Sequence, residues 1–206
     1  MRAFTDRWIE NFSGKYDDET LGEITWVTGA VSPPVAELVT SLTVGPGARV
    51  IDLGCGAGVQ SVFFAQHGCH VTGVDNAPRA LHAARALAGF YGIEVDWVEA
   101  DILETGLPDG EADLVHDSFI FHNIRPEARE AYAAEAARLL KPGGRMAVVG
   151  FSDRMVPGTG PIRLTSDDIL STFLPLFTVE ELRRFRNFPT AKKPDQWHWF
   201  ALLTRR

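Results

Sequence analysis

Residues 50–59 read VIDLGCGAGV. A β-branched run, Val50 and Ile51, leads to Asp52 and Leu53 and is stopped by Gly54, with glycine recurring at Gly56 and Gly58. The run has strand character. The stretch after it, VQSVFFAQHG, has helical character, with Val59, Val62, Phe63 and Gln66 on one face and Gly68 as its stop. A strand, a glycine loop and a helix make an anion or nucleotide site by construction. The helix N-terminus offers unpaired N–H groups, and glycine lets a ligand approach the backbone. A structural turn needs one or two glycines, not three at alternate positions beside an acid.

Outward from this stretch the pattern repeats. CHVTGVD is a second strand ending in Asp75, and NAPRALHAARALAGFYG is a helix with Asn76 as its expected N-cap. IEVDWVEAD is a third strand, with Ile93, Val95, Trp97 and Glu99 expected on one face and Asp101 at its end. ADLVHDSF, the helix PEAREAYAAEAARLLKPGG and RMAVVGF complete the series. Such alternation means a parallel sheet with helices on both faces. Three strands ending in acids place those acids on one sheet edge, where open α/β sheets bind ligands.

The flanks differ in character. VSPPVAELVTSL reads as a helix opened by Pro33 and Pro34. Before it come Phe4, Trp8, Phe12, Tyr16 and Trp26 without a strand series. TSDDILSTFL reads as a helix capped by Thr165 or Ser166. FTVEELRRFRNF fits a helix through Val179, Leu182 and Phe185, yet its place in the order suits a strand. With WHWFALLTRR it is expected to form an antiparallel hairpin closing the sheet. The fold class is therefore α/β, a Rossmann-like doubly wound sheet in a single domain. Residues 1–43 form an N-terminal helical cap or lid, 44–151 the cofactor-binding core, and 152–206 a substrate-side region with the closing strands.

The chain has 206 residues and a formal net charge of −7, so no general attraction to nucleic acid or anionic membranes is expected. No run of signal-peptide or membrane-spanning character appears. Cys55 and Cys69 have neither metal-ligand spacing nor a disulfide pattern. The reading is a cytoplasmic protein without a metal, a monomer or homodimer.

Two ligand classes compete for the glycine loop. Asp75 follows at roughly the distance of a ribose-binding acid in dinucleotide sites, which suits an NAD(P)-dependent oxidoreductase. Against this, Val59 stands where the third glycine of that motif belongs. Asp52 would also repel a pyrophosphate, whereas it favours a cationic ligand such as a sulfonium bearing an amino group.

DLGCGAG with Asp52, GVD with Asp75, ADI with Asp101, the strand ADLVHD and KPGG together resemble the class I S-adenosylmethionine-dependent methyltransferases. The resemblance implies a seven-stranded sheet whose last strand is antiparallel. It places Asp52 by the methionine part of the cofactor, with Gly54, Cys55 and Gly56 forming the loop against it. It puts Asp75 on the ribose hydroxyls with Asn76 beside the adenine, and Asp101 and Ile102 around the adenine. Asp117 falls near the methionine end and the transferring methyl. More narrowly, ITWVTGAVSPP and DSFIFHNIRPEARE are similar to the small thiopurine, thiol and tellurite-resistance methyltransferases, which act on small molecules. Trp26 is then a candidate lid over the cofactor. His122, and after it His116, are candidates to take a proton from the acceptor. The implied activity is methyl transfer to a heteroatom of a small molecule, sulfur or selenium favoured. The alternatives are the oxidoreductase and a non-catalytic binder of the same fold.

Overall fold

The computed structural model describes residue 12 and residues 14–156, 161–187 and 196–206. The strands are β1 (Arg49–Leu53), β2 (His70–Asp75), β3 (Asp96–Glu99), β4 (Ala112–Ser118), β5 (Leu140–Phe151), β6 (Phe177–Arg186) and β7 (Trp197–Arg205). They form one seven-stranded sheet in the order β3-β2-β1-β4-β5-β7-β6. The first five are parallel, and β7 runs antiparallel to both β5 and β6. The order reverses between β1 and β4, which opens a crevice beyond their carboxyl ends.

The helices are α1 (Pro33–Thr40), α2 (Val59–Gln66), α3 (Pro78–Tyr91), α4 (Arg129–Leu139) and α5 (Ser166–Phe173). The alternation of side chains along each strand divides the core into two layers. Val35 and Leu38 of α1 and Phe64 of α2 pack with Val50, Leu114, Val149 and Phe200 on one face. Tyr132 and Ala136 of α4 and Phe173 of α5 pack with Ile51, Val115, Val148 and Trp199 on the other.

Several local expectations shift. The α3 N-cap is Ala77 rather than Asn76, and it has no side-chain cap; Asp75 Oδ1 instead accepts from Ala77 N–H at 2.9 Å. In α2 the buried residues are Ser61, Val62 and Phe64, while Gln66 is exposed, because Ser61 is anchored downward on Asp52. β3 begins only at Asp96, since Ile93 N–H bonds back to Ala88 C=O and continues the turn that closes α3. Glu99 is exposed. α5 starts at Thr165, whose hydroxyl and Asp168 form a reciprocal capping box.

FTVEELRRF is a strand. The register shifts between Val179 and Glu181, and this bulge leaves Val179 and Leu182 packing on the same layer. A three-residue spacing of apolar positions therefore imitates a helix on what is an edge strand. The N-terminal cap is described only in part, as a helical turn over residues 14–18. Phe4, Trp8 and most of the loop VPGTGP fall outside the described residues.

Candidate cofactor and acceptor site

The three glycines after β1 all have left-handed backbones, with φ of 67° at Gly54, 54° at Gly56 and 80° at Gly58. That region is costly for any residue with a Cβ. Crowding adds a second reason. A Cβ on Gly54 would overlap the side chain of Ile120, and one on Gly58 would lie 2.7 Å from Trp97 and 2.8 Å from Ala84. The alternate glycines thus serve a loop that winds left-handed three times under close neighbours.

Backbone bonds fix the loop to β2. Gly54 N–H and Cys55 N–H both donate to Val74 C=O, at 2.7 and 3.0 Å. Gly56 N–H donates to Asp75 Oδ2 at 2.8 Å. Asp75 therefore holds the loop with one oxygen and the start of α3 with the other. Burial pushes its pKa up, against the pull of the amides from Ala77 and Gly56. Burial also pushes the Cys55 thiol well up, so it is a packed group and no nucleophile.

Asp52 is buried below the loop, at 2% exposure. Its Oδ2 accepts from Ser61 Oγ at 2.5 Å and its Oδ1 from His116 Nδ1 at 2.8 Å. The side chain ties β1 to the first turn of α2 and to β4. His116 is fully enclosed and packs edge-on against Phe64, with centroids 5.2 Å apart. Its Nδ1 is committed to Asp52, and its Nε2 is buried without a hydrogen-bond partner.

Asp117 points to the opposite face, as strand alternation requires. It is fully buried and accepts from Ile120 N–H at 2.9 Å, Phe121 N–H at 3.0 Å and Tyr132 Oη at 2.6 Å. It organises the turn after β4. Burial raises its pKa to about 6, with the three donors opposing that rise.

His122 is buried as well. It is 2% exposed, and its Nδ1 accepts from Phe151 N–H at 3.0 Å. The neutral ring then carries its proton on Nε2, and its one lone pair is already spent. Burial first, then His198 and Arg163, push its pKa down to about 3. The Cε1 proton of His122 should therefore show a flat chemical shift between pH 5 and 9 in NMR spectra. A titration midpoint above about 6 would contradict this assignment.

Asp101 and Ile102 follow β3, on the same edge as Asp75. Asp101 Oδ1 accepts from Leu103 N–H at 2.9 Å, and Ile102 is buried beside it. Asn76 is exposed next to Asp75. Trp26 is 38% exposed and donates from Nε1 to Tyr16 Oη at 3.1 Å. Tyr16 lies directly above the loop, since a Cβ on Gly56 would come within 2.9 Å of its hydroxyl. Burial pushes that phenol up to about 12. Tyr16 and Ile120 are the site neighbours that sequence reasoning passed over. The signal for Tyr16 was a lone aromatic in the polar stretch SGKYDDE.

The donor set tests which group fits here. Carboxylates at Asp52, Asp75 and Asp101 stand around the loop, matching a ligand with hydroxyls, an amine and positive charge better than one with a pyrophosphate. Among the described residues, no group of three or more His, Cys, Asp or Glu side chains could hold a metal ion.

Comparison with known proteins agrees with this geometry. Residues 50–144 match a methyltransferase domain family. A 2-heptyl-1-hydroxyquinolin-4(1H)-one methyltransferase from Mycobacteroides abscessus is 26% identical over 180 residues, covering 86% of this chain and 78% of that protein. An uncharacterised methyltransferase from a Synechocystis strain is 35% identical over 109 residues, 53% of this chain; the chain spans only about half of its length (50%). Among solved structures, one from a study of the conversion of a disulfide bond into a thioacetal group during echinomycin biosynthesis has a TM-score of 0.82 at 26% identity. It covers 95% of this chain and 92% of its own.

Two further structures share the fold at lower identity. The Burkholderia thailandensis 1,6-didemethyltoxoflavin-N1-methyltransferase, solved with its namesake and S-adenosylhomocysteine, has a TM-score of 0.74 at 23% identity, covering 95% of this chain and 86% of that one. TehB from Haemophilus influenzae has 0.71 at 16%, covering 96% of this chain and 66% of that one. The glycine loop, the ordered acids, the reversed strand order and these likenesses agree on a methyltransferase domain over residues 50–144.

Proposed function

We propose that this protein transfers a methyl group from S-adenosylmethionine to a heteroatom of a small molecule, releasing S-adenosylhomocysteine. Bound here, the cofactor supplies an electrophilic methyl on a sulfonium that departs as a neutral thioether. The acceptor's electron pair forms the new bond to the methyl carbon while the carbon–sulfur pair returns to sulfur. The chain's own task is alignment and exclusion of water. Asp75 holds the ribose hydroxyls, with Asn76 beside the base. Asp101 and Ile102 frame the adenine. Gly54, Cys55 and Gly56 carry the methionine part, and Tyr16 with Trp26 covers it.

One observation carries the preference for sulfur or selenium over oxygen or nitrogen. The acid–base candidates are all buried: His122 Nδ1 accepts from Phe151 N–H, His116 donates to Asp52 and is fully enclosed, and Asp117 accepts from two amides and Tyr132. An acceptor that loses its proton to solvent near neutral pH needs no base. No described helix is long and apolar enough to cross a membrane. We place the protein in the cytoplasm as a monomer or homodimer acting on a free small molecule.

The test is S-adenosylhomocysteine release across a panel of thiol, selenol, phenol, amine and carboxylate acceptors. Thiols and selenols should turn over fastest. A preference for amines would overturn the acceptor assignment. Tight cofactor binding with no turnover on any acceptor would leave a binding protein of the same fold.

A further inference from the structure

The end of β4 holds a residue that cofactor binding does not require. Phe119 has φ of 68°, in the left-handed region. An aromatic side chain enters that region only at a steric cost. Two bonds keep it there: Phe119 N–H donates to Val149 C=O at 2.8 Å, and its carbonyl accepts from Asn123 Nδ2 at 3.0 Å. Ile120, next in the chain, lies over Gly54, while the Phe119 ring joins a separate group of rings.

That group is Phe119, His122, Phe151, Phe185 and His198. Its centroid separations include 5.1 Å for Phe119–His198, 5.8 Å for Phe119–Phe151 and 4.1 Å for His122–Phe151. The interplanar angles, 78°, 66° and 46° in the same order, are those of a herringbone. The members come from the turn after β4, the carboxyl ends of β5 and β6 and the start of β7. Because β7 runs antiparallel, all of these lie on the sheet edge that carries the glycine loop. Phe119 and Phe151 are half-buried, whereas His122, Phe185 and His198 are buried behind them.

We propose that this ring cluster is the acceptor subsite, that it takes a flat, uncharged aromatic ring bearing the reacting heteroatom, and that Phe119 is its specificity-determining residue. This rests on the methyl-transfer reading given above. The half-buried rings of Phe119 and Phe151 complement another ring through their quadrupoles, which a saturated ring lacks. A charged acceptor body would lose its hydration against phenyl faces. The backbone strain at Phe119 is retained because it turns this ring onto the acceptor's side of the edge.

The experiment uses matched acceptor pairs that differ only in ring saturation, such as phenylmethanethiol and cyclohexylmethanethiol, with oxygen and nitrogen analogues. The aromatic member should have a kcat/KM at least tenfold higher. Phe119→Leu should raise KM for the aromatic member alone, bringing the ratio towards one, with kcat and the cofactor Kd within about twofold. Phe151→Leu gives a second reading if Phe119→Leu folds poorly. Equal use of both members, or equal loss on both in the variants, overturns the proposal. If no pair turns over, calorimetric titration of quinoline and its saturated analogue into the S-adenosylhomocysteine complex decides separately. Binding of quinoline alone supports the subsite while methyl transfer fails, and binding of neither or of both equally overturns it.

Discussion

Replacing Asp75 with alanine should weaken S-adenosylmethionine binding by about 10²–10³-fold in calorimetric titration, corresponding to about 3–4 kcal/mol. Its carboxylate already accepts from Gly56 N–H at 2.8 Å and Ala77 N–H at 2.9 Å. Each oxygen keeps acceptor capacity for a ribose hydroxyl. Bonds to a charged acceptor contribute about 1.5–3 kcal/mol each, so two ribose bonds account for most of the loss. The remainder comes from a glycine loop released from the start of α3. Asp75→Asn keeps one acceptor and should fall between the two. Affinity for Asp75→Ala within threefold of the unaltered protein would remove the ribose assignment.

Asp117→Ala should be the most destabilising single change in the turn after β4. It leaves the N–H groups of Ile120 and Phe121 and the hydroxyl of Tyr132 without their shared acceptor at a site with 0% exposure. Unsatisfied buried groups cost about 1–3 kcal/mol each, giving about 3–5 kcal/mol with partial relaxation. For a chain of this size that lowers Tm by roughly 6–20 °C by calorimetry. A drop below 2 °C would contradict the account.

The pH dependence has an unusual sign. The folded Asp117 carboxyl titrates at about 6 against an ordinary value of 3.8. Between those values the folded state holds the proton that the unfolded chain has lost. This group's contribution to stability therefore falls as pH rises from about 4 to about 6, by about 3 kcal/mol, and is flat above. The difference in stability between Asp117→Asn and the unaltered protein should show that slope. Cofactor affinity of Asp117→Asn should stay within tenfold, because the partners of the carboxylate are the turn after β4 and Tyr132.

Much of the core was legible because its signals are local. Period-two runs ended by glycine mark β1, and a run ended by an acid marks β2; neither depends on a distant partner. The loop at Gly54, Gly56 and Gly58 was legible for the same reason. The partners of its acid were not. Asp52 meets His116, 64 residues away, only because β1 and β4 pair in the register that sets Asp52 opposite His116. A histidine in ADLVHDS could be read as chemistry or as packing until that register was known. The surroundings of His122 were hidden in the same way, since its Nδ1 accepts from the backbone of Phe151, 29 residues away. β6 was ambiguous because the bulge near Glu180 replaced alternation with a helical spacing.

β6 reaches the sheet only through β7, which lies between it and β5. β6 and β7 can pair as a hairpin before either meets β5, but only β7 offers the edge that docks on β5, so β6 enters the sheet as its passenger. Until that hairpin docks, β5 presents an open edge to any passing strand. In the finished molecule β6 is the outermost strand, and its amide protons facing away from β7 should exchange before those of the β5–β7 ladder.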